Sequence, residues 1–129
     1  MSEVAAPAIP GAEELVRWFG FWPSFHDAEV LEVRLDRLSR FSIRIHTWRM
    51  TKEVDAQGYF VLDHHVVVTF WLEGLTGLSL EGFNAQNVIA GLDVEPTPTG
   101  HLLRLASCYG LAGELEAAKI SISIEPGKP

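Results

Sequence analysis

Residues 59–72, YFVLDHHVVVTFWL, form the most strand-like stretch of this chain and largely decide its predicted fold. Three consecutive valines, Val66 to Val68, are followed closely by Phe70 and Trp71. β-Branched and aromatic residues in this density favour an extended strand. Apolar side chains occupy both alternating faces, which is typical of a strand with neighbours on each side. A central strand of a sheet is therefore expected here.

The segments on either side of this strand predict the rest of the sheet. Apolar residues recur at every second position in residues 31–35, 41–45 and 120–124, as in strands with one buried face. Weaker alternation predicts two more strands, at 75–83 and 103–105. Short connections between these segments favour antiparallel pairing.

Two short helices are also predicted. The first covers residues 12–19, where apolar residues fall at i, i+3 and i+4, and it ends at Gly20. The second begins at Asn84 as N-cap and presents an apolar stripe between Val88 and Leu92. The order of elements predicts an α+β fold, with one twisted, mainly antiparallel sheet of about six strands and both helices packed on one face. The other face would then be partly open.

The composition limits the domain organisation and the classes of function. Residues 1–11 are rich in Ala and Pro and predict a flexible N-terminal tail, followed by a single α+β domain over residues 12–129. A lone Cys108 excludes an intramolecular disulfide, and without an export signal or a long apolar run the chain is expected to be cytoplasmic and not membrane-bound. The net charge of -7 disfavours binding to nucleic acid and would suit a basic partner.

The densest chemistry lies in residues 20–30, GFWPSFHDAEV. Ser24, His26 and Asp27 are the residue types of a hydrolase triad, but neighbouring side chains in an extended chain diverge and cannot orient one another. The favoured interpretation is structural, with Ser24 or Asp27 bonded to backbone amides of a turn. A pocket that uses His26, Asp27 and Glu29 for small-molecule binding or hydrolysis is the alternative.

Histidine spacing gives no recognisable metal site. His64 and His65 are neighbours on a predicted strand and point to opposite faces, so at most one of them can join His46 or His101. The helical i, i+4 spacing and the Cys/His grouping of zinc sites are missing. No metal and no cofactor are therefore predicted, although a site made from the motif of residues 20–30 and a distant histidine stays open as an alternative.

The outward face of the predicted sheet is a candidate protein-binding surface. Strand alternation points Arg44, His46 and Trp48 outward and places Trp71 on the opposite face from Phe70. Trp and Arg are the residues most enriched in interface hot spots. The alternative is that Trp71 and Val67 fill a second small core beneath a loop or the N-terminal segment.

The segment WPSFHDAEV, residues 22–30, preceded by a short helix that ends near Gly20, resembles the bacterial immunity protein 50 family. Members are similar in size, are α+β proteins, and are associated with polymorphic toxin systems in which an immunity protein neutralises a toxin. The resemblance implies stoichiometric binding to a cognate toxin domain, without catalysis. It brings no catalytic residues with it, so none are assigned.

Combining the motif with the outward face gives a set of candidate contact residues. The set comprises Trp22, Ser24, His26, Asp27, Glu29, Glu32, Arg44, His46, Trp48 and Trp71. Two alternatives to toxin binding remain at this point. One is the small-molecule or hydrolytic pocket at His26 and Asp27, and the other is a structural module that self-associates as a homodimer through the open sheet face.

Overall fold

The computed structural model describes residues 5–129, which form one helix and six strands. The elements in chain order are α1 Ala12–Phe19, β1 Glu29–Arg34, β2 Phe41–Val54, β3 Phe60–Glu81, β4 Val88–Thr97, β5 Gly100–Tyr109 and β6 Ala112–Pro126. The α+β class is therefore confirmed, with one short helix instead of two in the described part of the chain. No helix within residues 5–129 has the length and apolar composition needed to cross a membrane.

All six strands belong to one antiparallel sheet that closes on itself in the order β1-β2-β3-β6-β5-β4. The closing contact joins β1 to β4, where Glu29 pairs with Val88. The amide of Ile89 donates to the carbonyl of Ala28 at 3.0 Å. Closure gives the sheet an inside that is filled by side chains, and the outer face is the one that stays accessible to solvent.

The second predicted helix was also wrong, since residues from Val88 onward form β4. Ile89 and Leu92 are both buried, and their spacing of three suggested a helical stripe. In a regular strand this spacing would place them on opposite faces. The pairing of β4 with β5 shifts register between Ile89 and Gly91, and this irregularity turns both side chains to the inside.

Strand β3 is longer than predicted, because it runs through the segment assigned to a separate strand at 75–83. Gly74, with φ of 66°, and a register shift between Leu75 and Gly77 interrupt the regular pairing with β6. Such irregularities bend a strand and increase its twist. One long strand can therefore follow the curved wall of the closed sheet.

Helix α1 packs against β6 and buries Leu15 and Phe19. Of the predicted N-terminal tail, residues 1–4 lie outside the described part of the chain. Ile9 is buried, and the carbonyl of Pro10 accepts a hydrogen bond from the amide of Ile122 at 2.9 Å. Residues 20–28 follow the helix, connect α1 to β1 and carry the motif.

Candidate functional site

The connection between α1 and β1 has an unusual backbone. Phe25 and Asp27 adopt left-handed conformations, with φ of 60° and 66°. Each such non-glycine residue costs of order 1–3 kcal/mol and persists only where surrounding contacts impose it. The Asp27 amide donates to the carbonyl of Ile89 at 2.9 Å, and the Ala28 amide donates to the carbonyl of Phe25 at 3.1 Å. These bonds hold the His26 and Asp27 side chains on the surface.

Aromatic packing on its core side also holds the connection between α1 and β1. Phe25 is 1% exposed, and its ring lies 5.7 Å from that of Trp22 and 5.8 Å from that of Phe70. Trp22 is itself 8% exposed. Of the candidate contact residues, Trp22 therefore lies in the core, where it supports the connection.

The structure brings the motif together with strand β2 around a cleft of about 300 Å³. The connection and the end of α1 contribute Phe19, Phe21, Pro23, Ser24, Phe25, His26 and Asp27, and β2 contributes Thr47, Trp48, Arg49 and Met50. One cavity is thus shared by two separate parts of the sequence prediction. The motif contributes Ser24, His26 and Asp27, and the predicted outward face contributes Trp48. The lining surface of the cavity is mainly apolar, and Ser24, His26, Asp27 and Arg49 add polar groups.

The arrangement of Ser24, His26 and Asp27 does not form a triad. The Ser24 hydroxyl accepts a hydrogen bond from the His26 amide at 3.2 Å, as the structural interpretation predicts. His26 Nδ1 lies 3.0 Å from the carbonyl of Ala90, and its Nε2 lies 3.6 Å from Asp27 Oδ1. Both ring nitrogens therefore face groups other than the Ser24 hydroxyl, so the ring is not placed to act as its general base.

Other candidate residues meet on the outer face of the sheet. Glu29 pairs with His46 across β1 and β2, and Glu32 pairs with Arg44. Trp71 lies further along the same face, opposite Ser42. These residues are separate from the cleft: the exposed Glu29 and Glu32 of β1 face the buried His46 and the half-buried Arg44 of β2.

Trp71 is partly covered by its neighbours. The guanidinium carbon of Arg40 lies 4.1 Å from the centroid of the Trp71 ring, and Trp71 Nε1 donates to Ser123 Oγ at 2.9 Å. The ring thus forms a cation–π contact on the outer surface. Arg40 belongs to the loop between β1 and β2, so a loop residue covers part of the half-buried Trp71 ring. Val67, on the same face of β3, is buried.

Trp48 links the cleft to a pair of histidines. Its ring lies 5.0 Å from that of His46 and 6.1 Å from that of His65. Burial lowers the pKa of His46, and the neighbouring His65 lowers it further, although Glu29 acts in the opposite direction. Burial also lowers the pKa of His65, with a second contribution from Lys128.

A bulge in β3 selects which histidine reaches His46. Thr47 pairs with Val66 and Arg49 pairs with Asp63, so β3 has one extra residue there, and His64 adopts φ of 52°. The ring of His64 lies 5.2 Å from that of Trp18, whereas His65 meets His46. At most one of the two was expected to reach His46, and the one that does is His65. Within residues 5–129, no three His, Cys, Asp or Glu side chains are grouped to hold a metal ion.

A family model described as immunity protein 50 matches residues 11–126, from the residue before α1 to the last residue of β6. The chain belongs to the immunity protein 50 family. No curated protein and no solved structure matches it. The resemblance noted at WPSFHDAEV is thus confirmed, and it extends over the whole closed sheet of this immunity protein 50 family member.

Sequence reasoning missed several residues of the cleft in this immunity protein 50 chain. Arg49 binds Asp63 through two bonds, of 2.9 Å from Nε and 2.8 Å from Nη2. This contact lowers the pKa of Asp63 to about 2. Nothing in the sequence signals the pair, since it depends on the register across the bulge. Met50 could have been found, because it follows Trp48 by two positions.

Proposed function

We propose that this chain neutralises a cognate bacterial toxin domain by stoichiometric protein–protein binding, without catalysis of its own. The observation that carries the proposal is membership of the immunity protein 50 family, with a match over residues 11–126. The proposed setting is the cytoplasm of the bacterium that makes the toxin. Occlusion of a toxin surface requires a stable face that fits it, and the closed sheet supports the proposal by offering an ordered outer surface.

The cleft and the adjoining outer face are the proposed contact surface. Trp48 lies at the boundary between them, with the cleft on one side and His46 on the other. Large aromatic side chains at the edge of a concave site are typical anchors of protein interfaces. The net charge of -7 would speed the encounter with a basic toxin, such as a nuclease.

The hydrolytic alternative has less support. Of its residues His26, Asp27 and Glu29, only His26 and Asp27 line the cleft, whereas Glu29 pairs with His46 across β1 and β2. His26 Nδ1 is bonded to the backbone carbonyl of Ala90. We therefore place no residue in a catalytic role.

Growth rescue tests the proposal directly. Toxin domains encoded next to this chain are expressed in a test bacterium with and without it, and growth is compared. Specific rescue by one pairing is expected, together with a 1:1 complex of the purified proteins by light scattering. Absence of rescue and of complex formation with every neighbouring toxin domain would contradict the proposal.

Two tryptophan variants locate the contact surface. Trp48→Ala removes the aromatic wall of the cleft, and Trp71→Ala removes a side chain of similar size from the separate part of the outer face. Both are first checked for native folding by circular dichroism. Loss of rescue with Trp48→Ala alone places the contact at the cleft, and loss with Trp71→Ala alone places it on the outer face. The mass of the free chain in the same light-scattering run tests homodimer formation.

A further inference from the structure

We infer that the cleft receives an arginine side chain of the partner, with Asp27 as its counter-ion and Trp48 as its stacking surface. The inference rests on the proposed function, because the arginine would belong to the toxin domain. It goes further by naming the chemical group that the cleft recognises.

The lining of the cleft is suited to a planar cationic group at the end of an apolar methylene chain. Trp48 and Phe21 are aromatic, and Met50 extends the apolar lining. Phe21 is 38% exposed and Met50 is 59% exposed, so this apolar surface is open to a partner. A guanidinium group stacks on aromatic faces, and its methylene stem packs on apolar ones.

The polar side chains His26 and Asp27 offer hydrogen-bond acceptors to a ligand. Because a carbonyl can only accept, His26 Nδ1 is the donor toward Ala90, and in the neutral ring Nε2 is then an acceptor. That acceptor lies 3.6 Å from the carboxylate of Asp27, which is also an acceptor. Two acceptors that face each other are bridged best by a group with several donors and no acceptor. Arginine carries five N–H donors in a planar fork.

Charge at the cleft supports the same group. In the described part of the chain, the carboxylate of Asp27 lies 3.6 Å from the imidazole of His26 and forms no ion pair with a lysine or arginine. Arg49 also lines the cleft, but its guanidinium Nε and Nη2 both donate to the carboxylate of Asp63. The cation already present is thus neutralised by its own partner, and the carboxylate of Asp27 is left for a ligand.

The backbone on either side of His26 is held in one conformation before any ligand binds. The left-handed Phe25 and Asp27 flank His26, and the Ile89 carbonyl fixes the Asp27 amide. Strained residues concentrate at ligand clamps, where their geometry is imposed in advance. A site fixed before binding loses less conformational entropy when the ligand arrives.

The test uses the full chain and a small probe, N-acetyl-arginine amide, titrated into the ¹⁵N-labelled protein and followed by NMR. Saturable shifts are expected at the Trp48 indole N–H and the Asp27 amide. N-acetyl-citrulline amide has nearly the same shape without the charge, and it should bind at least about threefold more weakly, as for the loss of an exposed ion pair.

Asp27→Asn tests the counter-ion, with Asp93→Asn as the matched control. Asparagine tolerates the left-handed backbone, so the fold should be kept. Asp93 is exposed on β4, away from the cleft, and its substitution makes the same change in net charge. Asp27→Asn should weaken the binding of the arginine probe by about threefold or more, whereas Asp93→Asn should leave its binding unchanged.

Equal binding of the two probes, or unchanged binding to Asp27→Asn, would overturn the inference. The probe experiment needs no toxin, so the two proposals fail separately. A chain that rescues growth but ignores the arginine probe would overturn only the inference about the cleft. A chain that binds the probe through Asp27 but rescues growth against no toxin would overturn the proposed function.

Discussion

His46 Nε2 lies 3.0 Å from His65 Nδ1, and the two rings stack with centroids 5.2 Å apart. A hydrogen bond between two imidazoles needs one nitrogen to donate and the other to accept. When both rings are protonated, all four nitrogens are donors and this bond is lost. The pair is therefore compatible with neutral or singly protonated rings, which agrees with the lowered pKa of each histidine.

The stability of the protein should consequently fall in mild acid. Both pKa values are below the ordinary 6.5 in the folded state, so the unfolded chain takes up protons first as the pH drops. The free energy of unfolding should be nearly constant above pH 6.5. Below that pH it should decrease until the pH has passed the lowered pKa values of the two histidines in the folded state. Urea unfolding between about pH 5 and pH 8 measures this slope.

Variants assign the slope to the pair. His65→Gln should reduce it, because the contribution of His65 is lost while burial still lowers the pKa of His46, and His101→Gln, at a histidine outside the pair, should leave it unchanged. Asp63 does not interfere, because its pKa of about 2 keeps the carboxylate ionised throughout this range. An undiminished slope in His65→Gln would show that other groups cause the acid sensitivity.

Phe25→Ala should be among the most destabilising single changes in the motif. The side chain is almost fully buried between Trp22 and Phe70, and truncating a buried phenylalanine typically costs about 3–5 kcal/mol. Phe25→Leu keeps most of the apolar volume and should cost clearly less. Guanidinium unfolding of both variants gives the comparison, and a cost below about 1 kcal/mol for the alanine variant would refute the packing described here.

Asn87 should prove to be an important structural residue between β3 and β4. Its buried side chain accepts hydrogen bonds from the amides of Asn84 and Leu111 and donates one to the carbonyl of Asn84. Asn87→Ala leaves these backbone groups without their partner, at a cost of about 2–4 kcal/mol. Gln86→Ala, at an exposed neighbouring position, should be nearly neutral. Thermal unfolding distinguishes the two, and equal melting temperatures would contradict the proposed role.

Gly113 should not tolerate a side chain. A Cβ atom there would lie 1.9 Å from the carbonyl oxygen of Ser79, and φ of 143° disfavours any L-residue. Gly113→Ala is expected to destabilise the pairing of β3 with β6 by more than about 2 kcal/mol. Gly91 has open space around it, so Gly91→Ala is the matched control and should be near neutral. A soluble, equally stable Gly113→Ala protein would show that the strands can separate at little cost.

Local periodicity was enough to predict much of this protein. Alternating apolar residues located β1, β2 and β6, the apolar run at 66–72 located the centre of β3, and the stripe of Leu15 and Phe19 located α1. The motif at residues 22–30 pointed to the family. These features are readable because the side-chain period of a strand or helix belongs to the segment itself.

Tertiary structure alone decided the rest. Ile89 and Leu92 have a helical spacing in sequence, and only the irregular pairing of β4 with β5 makes them inward-facing strand residues. The closed sheet, the cleft that joins Asp27 to Trp48, and the contact of His46 with His65 likewise require a particular register between distant segments. Register depends on backbone hydrogen bonds and on bulges such as the one at His64. Every residue except proline offers the same backbone N–H and C=O groups. The sequence therefore does not show which two segments these groups will pair in the sheet.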